Sequence, residues 1–168
     1  ERSGPVTNEG PHYPLPLPAD RPNAWGLGKP LRSITHPLRA DVPIFLGAEG
    51  PKNVALAAEI ADGWLPLYYS PFRPEVYADS LAHAKPGFEI AQFLIVNVHD
   101  DLETALAPVK AMLGFYIGGM GAKKQNFHKN LMGRMGFEAE ADAIQELFFQ
   151  GKREEAIAKV PSAFAYEI

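Results

Sequence analysis

Apolar and polar positions along the chain fall into two regimes. Up to residue 43, proline sets the pattern: nine of the sixteen prolines lie in residues 1–43. A run such as Pro11-His12-Tyr13-Pro14-Leu15-Pro16-Leu17-Pro18, continuing to Gly26-Leu27-Gly28-Lys29-Pro30, cannot be a long helix. Each proline removes an N–H and biases its predecessor toward extended backbone. The leucines and tyrosine between the prolines predict a meandering loop or short edge strand packed on a body. A Pro-rich recognition ligand is the alternative that the same composition allows.

From Val42 the pattern becomes regular. Val42-Pro43-Ile44-Phe45-Leu46 is a short apolar run ending at Gly47, with the length of a buried strand. Pro51 then opens an alanine-rich helix through Ala61, with proline at a position pre-set for helix and Asp62-Gly63 as its expected left-handed stop. Trp64-Leu65-Pro66-Leu67-Tyr68-Tyr69 follows as a second strand. Strand, helix, strand in so few residues predicts a βαβ unit with parallel strands and a right-handed crossover. Pro66 lacks a ladder donor and predicts a bulge or gap in the pairing. After the loop Ser70–Pro74 and a helix over 75–83, Phe88–Val98 has the strongest strand pattern of the chain, with β-branched residues toward its end.

Beyond Asn97 the chain turns helical. Asp100 and Glu103 resemble a capping box, and Pro108 predicts a kink or two helices in succession. Further helices are expected over 127–135, over 138–150 with Gly151 as stop, and over 152–160 before Pro161, with Ser162 capping a last turn. The division is therefore a Pro-rich loop region over 1–41, βαβ units over 42–99 and a mainly helical part over 100–168, all within one partial barrel domain, 1–168. Three strands, at 42–46, 64–69 and 88–98, alternate with helices and predict an α/β fold with a parallel sheet. An eight-stranded parallel barrel needs about 250 residues, and a three-stranded sheet leaves two edges exposed. The chain reads as a piece of a larger α/β protein rather than a small complete one.

Composition narrows the class. The 168 residues are 46% hydrophobic and 21% charged, with net charge −4 and mean hydropathy −0.14. Wholesale disorder is excluded, and the acidic balance argues against a nucleic-acid or membrane-surface binder. With no cysteine, a disulfide scaffold, a thiolate metal site and a cysteine nucleophile are excluded. No stretch reaches the about 20 apolar residues of a membrane helix. Glu1-Arg2-Ser3-Gly4-Pro5 lacks the basic and apolar regions of a signal peptide. A soluble, cytoplasmic location is expected.

The loop Gly47-Ala48-Glu49-Gly50 with Pro51 and Lys52 has the chemistry of an anion site. Glycines allow close backbone approach and a helix start presents N–H donors. Lys52 in the first turn opposes the helix dipole, a penalty that a bound phosphate would reverse. Glu49 argues against the site unless it turns to solvent or pairs with Lys52, and a plain βα turn is the competing reading. Tyr68, Tyr69 and Ser70 end the second strand on the face where parallel barrels carry their active sites; they are either pocket-lining residues or core aromatics. Gly118-Gly119-Met120-Gly121-Ala122-Lys123-Lys124 resembles a second phosphate cradle, but no strand precedes it and a solvated helix start is the better reading. His12, His83 and His99 are isolated and no spacing suggests a metal. Asp100, Asp101, Glu138, Glu140 and Asp142 are read as helix N-terminal charges.

The stretch Phe45-Leu46-Gly47-Ala48-Glu49-Gly50-Pro51-Lys52-Asn53, running on to Trp64, resembles the luciferase-like monooxygenase superfamily and its deazaflavin (coenzyme F420) branch. So do Phe115–Lys123, Asn126-Phe127-His128, Arg134-Met135-Gly136-Phe137 and Ile144-Gln145-Glu146-Leu147. The resemblance implies an eight-stranded (β/α)8 TIM barrel that transfers hydride between an organic substrate and coenzyme F420. It also implies that this chain is the C-terminal portion of the barrel, with the 47–52 loop helping to hold the coenzyme's phosphate-bearing tail. The family's catalytic histidine and acid lie on strands with no counterpart here. No catalytic residue is therefore assigned, and neither His36 nor His128 is given that role.

Three readings follow. The first is a fragment of an F420-dependent oxidoreductase, inactive in isolation, with cofactor-binding residues Gly47, Ala48, Glu49, Gly50, Pro51 and Lys52. The second keeps the fold but uses FMN and oxygen as a monooxygenase. The third is a non-catalytic half-barrel that binds a partner or self-associates. The expected partners are a small-molecule substrate and either the missing N-terminal half of the barrel or a second copy, with no nucleic acid and no membrane.

Overall fold

The computed structural model describes residues 4–168; Glu1–Ser3, the start of the N-terminal stretch weighed above as a signal peptide, lie outside the described residues. The chain divides into two units, one ending at Val42 and one spanning Pro43–Ile168.

Among its described residues the first unit has no helix and no ladder. Two isolated antiparallel bridges, Val6 with Leu31 and Asn8 with Leu15, are its regular pairings. Asn8 holds the turn between them, its amide donating to the Tyr13 carbonyl at 2.6 Å and its Oδ1 accepting the Gly10 N–H at 3.0 Å. The proline density explains the rest: ladder donors are missing at every few positions. No described side chain of this unit is buried, and Trp25, Ile34 and Leu38 are almost fully exposed.

The second unit is α/β. Strand β1 (Phe45–Gly47), helix α1 (Pro51–Ile60), strand β2 (Gly63–Leu65), a 3-10 turn (Pro74–Tyr77) with helix α2 (Ala78–Leu81), and strand β3 (Glu89–Ile90) form two successive βαβ crossovers. The sheet is parallel in the order β1-β2-β3, with Phe45 opposite Gly63 and Gly63 opposite Glu89. Gly63 is not the left-handed helix stop the sequence suggested. It is the first residue of β2, and a Cβ there would fall 2.2 Å from the Phe45 ring and 2.8 Å from the Glu89 carbonyl. Glycine is required by the closeness of three strands, and α1 instead ends at Ala61, whose N–H returns to the Ala57 carbonyl.

The strand expected over 88–98 forms only at Glu89–Ile90. Its ladder runs from Glu89 N–H to Asp62 O and from Ala91 N–H to Trp64 O. The next rung would need an N–H at residue 66, and that residue is proline. Pro66 thus produces the gap that its position foretold. Residues 92–98 continue without ladder partners among the described residues, leaving Phe93, Leu94, Val96 and Val98 largely exposed.

Helices α3 (Leu102–Gly119), α4 (Phe127–Arg134), α5 (Glu138–Phe149), α6 (Arg153–Ala158) and α7 (Ser162–Glu167) complete the unit. Leu113, Ile117, Met132, Met135, Ile144, Val160 and Phe164 form a core around α3, continuous with Trp64, Tyr68 and Tyr77. Two capping details differ from expectation. The N-cap of α3 is Asp101 rather than Asp100, its carboxylate accepting from Thr104 N–H at 2.9 Å. Ser162 is inside α7 behind an N-cap Pro161 and accepts from Lys110 Nζ at 2.8 Å. Pro108 does not split α3, because the ring and the Thr104 carbonyl it leaves unbonded belong to solvent-facing residues. Gly151, at φ +78°, stops α5 as expected. Three strands with their helices, ordered and parallel, constitute part of an α/β barrel.

Candidate functional site

The C-terminal ends of β1 and β2 lead into two loops that meet: Ala48-Glu49-Gly50 after β1, and Leu67–Ser70 after β2. Trp64 ties them together. Its ring is buried and its Nε1 donates to the Ala48 carbonyl at 2.8 Å. Glu49 adds a second tie, Oε1 accepting the Leu67 N–H at 2.9 Å. Its carboxyl is half-buried and not paired with Lys52, and burial raises its pKa from the ordinary value, partly offset by that hydrogen bond.

The third wall comes from the start of α4. Asn126, almost fully buried, accepts the His128 and Lys129 N–H groups on Oδ1, both at 3.0 Å. Its amide donates to the Tyr116 and Ile117 carbonyls at 3.0 and 2.8 Å. One side chain thus caps α4 and closes the end of α3. This sets Phe127 over Gly50, where a Cβ would lie 2.9 Å from the ring. It also sets His128 between the Tyr116 and Tyr68 rings, with centroids 5.0 and 5.4 Å away and edge-on. His128 Nδ1 stands 4.0 Å from Glu49 Oε2, beyond direct hydrogen-bond reach.

Around that point the polar accounts are open. Tyr68 Oη, Ser70 Oγ and His128 Nδ1 are buried without a hydrogen-bond partner among the described residues, an uncommon situation for buried polar atoms. Burial pushes the Tyr68 hydroxyl pKa well up, reinforced by Tyr116 and Glu49, and burial pulls the His128 imidazole down. Tyr77, pushed up to about 12 chiefly by burial, accepts the Ser70 N–H at 3.2 Å. Tyr69 and Tyr77 pack with Trp64 as one aromatic group, centroids 4.9–6.0 Å apart.

The residues singled out in the sequence therefore separate. Gly47 leaves room above it, with only the Leu65 carbonyl at 3.9 Å from a Cβ position, and Pro51 and Lys52 are exposed. Gly50 faces Phe127 instead. Of the first four positions of α1, Asn53 and Val54 give their N–H groups to the Gly50 carbonyl and Pro51 has none, so the donor set is thinner than the glycine pattern suggested. Tyr68 joins His128 and Glu49, Ser70 meets Tyr77 through its N–H, and Tyr69 packs beside Trp64. The second glycine run is packing: a Cβ at Gly118 or Gly119 would fall 2.5–2.6 Å from the Phe148 ring of α5. It ends α3 rather than starting a helix. Asp142 pairs with Lys129 at 2.6 Å, and Glu138 and Glu140 sit in the first turn of α5. Among the described residues no group of three acids or histidines could hold a metal ion, and no helix is long and apolar enough to cross a membrane.

Asn126 and His128 had no site reading from spacing alone. Their signal was local, an Asn before a helix start, and it locates a cap without saying which loop the cap faces.

The chain resembles known proteins in sequence and in fold. The chain is 49% identical to a Mycobacterium tuberculosis (strain H37Rv) protein, Rv3520c, named for an inferred coenzyme F420-dependent oxidoreductase activity; the match covers 95% of this chain and 48% of that protein. The chain thus spans about half the length of the curated relative it matches. The coenzyme F420-dependent tetrahydromethanopterin reductase of Methanopyrus kandleri superposes with TM-score 0.52 at 23% identity, over 75% of this chain and 37% of that one, a likeness of fold. The sequence pattern of the luciferase-like monooxygenases matches residues 1–167, and the chain belongs to that family.

Proposed function

We propose that this chain is part of an oxidoreductase that passes hydride between coenzyme F420 and an organic substrate. The observation that carries this reading is the 49% identity, across 95% of the chain, to a relative named for F420 dependence. The structure of the loop supports it. Gly47 is open above its Cα, the loop follows the C-terminal end of a parallel strand, and unpartnered polar atoms lie behind it, as a polar ligand site of an α/β barrel requires. Gly47, Ala48, Glu49, Gly50, Pro51 and Lys52 would hold the coenzyme's phosphate-bearing tail. The bound deazaflavin would supply the carbon that takes or gives hydride.

In this reading the groups that act on the substrate come from polypeptide beyond these residues, joined along the exposed apolar segment 91–98. The chain by itself is then expected to associate or aggregate and to show negligible turnover. The test is purification of the chain, followed by light scattering, F420 fluorescence titration and assay of hydride transfer. Association, together with activity that appears only when the remaining barrel polypeptide is supplied, supports the reading. A monodisperse, cooperatively melting monomer that turns over F420 overturns the fragment part. A bound cofactor with the absorbance of FMN overturns the cofactor.

A further inference from the structure

Glu49 is the residue that the phosphate reading explains least, since a carboxylate in an anion-receiving loop repels its ligand. The structure turns that carboxyl toward a set of groups from three elements. One oxygen takes the Leu67 N–H, and the other lies 4.0 Å from His128 Nδ1, with side-chain exposures of 27% for Glu49 and 11% for His128. The Tyr68 hydroxyl, on a residue only 4% exposed, has no hydrogen-bond partner among the described residues and feels both Glu49 and Tyr116 electrostatically. The nearby cations are engaged elsewhere or turned away. Lys129 pairs with Asp142 and Gln145, Arg134 of α4 lies near Tyr77, and Lys52 is exposed on α1. The carboxyl therefore has one imidazole at 4.0 Å and the Tyr68 and Tyr77 hydroxyls within electrostatic reach, with Tyr116 against His128 and Tyr68, and no Lys or Arg paired with it among the described residues.

We propose that Glu49 and His128 are an electrostatically coupled pair that holds one proton between the two residues before a ligand binds and takes up a second from solvent when a phosphate-bearing ligand enters the Gly47–Lys52 loop. The proposal rests on the reading of that loop as the site of the cofactor's tail. Without ligand the pair holds one proton, on the carboxyl or on the imidazole, because burial works against the charged form of each group and Nδ1 and Oε2 stand only 4.0 Å apart. The loop then carries no net charge from this pair. An arriving anion favours a second proton, which leaves an imidazolium beside an uncharged carboxyl. The unpartnered Nδ1 is thereby a donor held in reserve, and Asn126 fixes where it stands.

Two measurements test this, one of them independent of the ligand. The His128 ring resonances, followed by NMR across about pH 5 to about pH 8, should titrate as one partner of a coupled pair. Glu49→Gln keeps the acceptor for Leu67 N–H but removes the ionisable carboxyl that competes for and stabilises the shared proton, and should lower the His128 titration by about one pH unit. An unmoved titration overturns the pair, whatever the loop binds. Calorimetry of coenzyme F420 binding to the complete polypeptide, in two buffers of different ionisation enthalpy, should show proton uptake above the His128 titration. Affinity there should fall by up to about tenfold per pH unit. His128→Gln should abolish the uptake and flatten that dependence. Binding of F420 with no proton uptake overturns the proposal. Failure of F420 to bind at any pH sinks the reading of the loop instead, and the ring titration still decides the pair.

Discussion

Gly50 allows packing and ligand approach to be told apart at one position. A Cβ there would stand 2.9 Å from Phe127 Cε1 and 3.3 Å from Cδ1 and Cζ, whereas carbon pairs rest at about 3.5–4.0 Å. The ring edge must retreat by roughly half an ångström. Phe127 is 41% exposed and can swing, so Gly50→Ala should cost about 1 kcal/mol, the low end of overpacking, and the branched Gly50→Val about 2–3 kcal/mol. Gly50 has φ −77° and ψ 144°, open to any residue, so no backbone strain adds to this. Removing the ring removes the collision. In a double-mutant cycle of Gly50→Val with Phe127→Ala, urea unfolding should return a coupling of about 1–2 kcal/mol. F420 affinity measured on the same variants reads the second effect. If the loop receives the coenzyme's tail, the double variant, relieved of the clash, still binds about tenfold or more weakly, because the valine remains over the backbone. A coupling near zero would refute the packing argument. A double variant that binds F420 as the parent does would show that the glycine serves Phe127 alone.

Three further outcomes are expected. Asn126→Ala should cost about 2–3 kcal/mol in urea unfolding, since it removes the α4 cap and strands the buried Ile117 carbonyl, while the Tyr116 carbonyl keeps the Met120 N–H; a loss under about 0.5 kcal/mol, typical of an ordinary surface site, would contradict the clamp. Gly118→Ala should destabilise by about 1–3 kcal/mol through its collision with Phe148, and Phe148→Leu in the same chain should recover part of it. Glu167, held below the usual carboxylate range by its ion pair with Arg73, should contribute stability above about pH 4 that fades as pH falls through its folded pKa. Parent and Glu167→Gln melting curves should therefore converge in acid, and a gap that persists at low pH would argue against the pair.

How much of this was legible in the sequence depended on whether the deciding interaction was local. The helices of the second half were visible because their signals, periodicity with Gly151 and Pro161 as stops, lie within or beside the elements themselves. The gap at Pro66 was equally local, since a missing N–H needs no knowledge of the partner strand. Gly63 was misread because its reason is a neighbour: Phe45 and Glu89 crowd its Cα, and both are distant in sequence. The strand over 88–98 was overcalled for the complementary reason, since β-propensity at Phe93–Val98 cannot make a ladder without a donor opposite. Glu49 was correctly recognised as an anomaly in its loop, yet the imidazole facing it lies on α4, and no spacing rule links the two.

The start of α4 shows why such a site resists reading along the chain. Three consecutive residues perform three different tasks: Asn126 caps, Phe127 covers Gly50, and His128 meets Glu49. The cap is what makes the other two possible. Because Asn126 also donates to two carbonyls at the end of α3, the first turn of α4 cannot rotate without breaking buried hydrogen bonds. The ring and the imidazole are therefore delivered to the β1–α1 loop at fixed positions rather than by side-chain chance. Trp64 and Leu67 fix the same loop from the side of β2. A short loop held from both sides can keep its glycine backbone open at Gly47 while holding a carboxyl half-buried at Glu49. A loose connector would let that carboxyl escape to water.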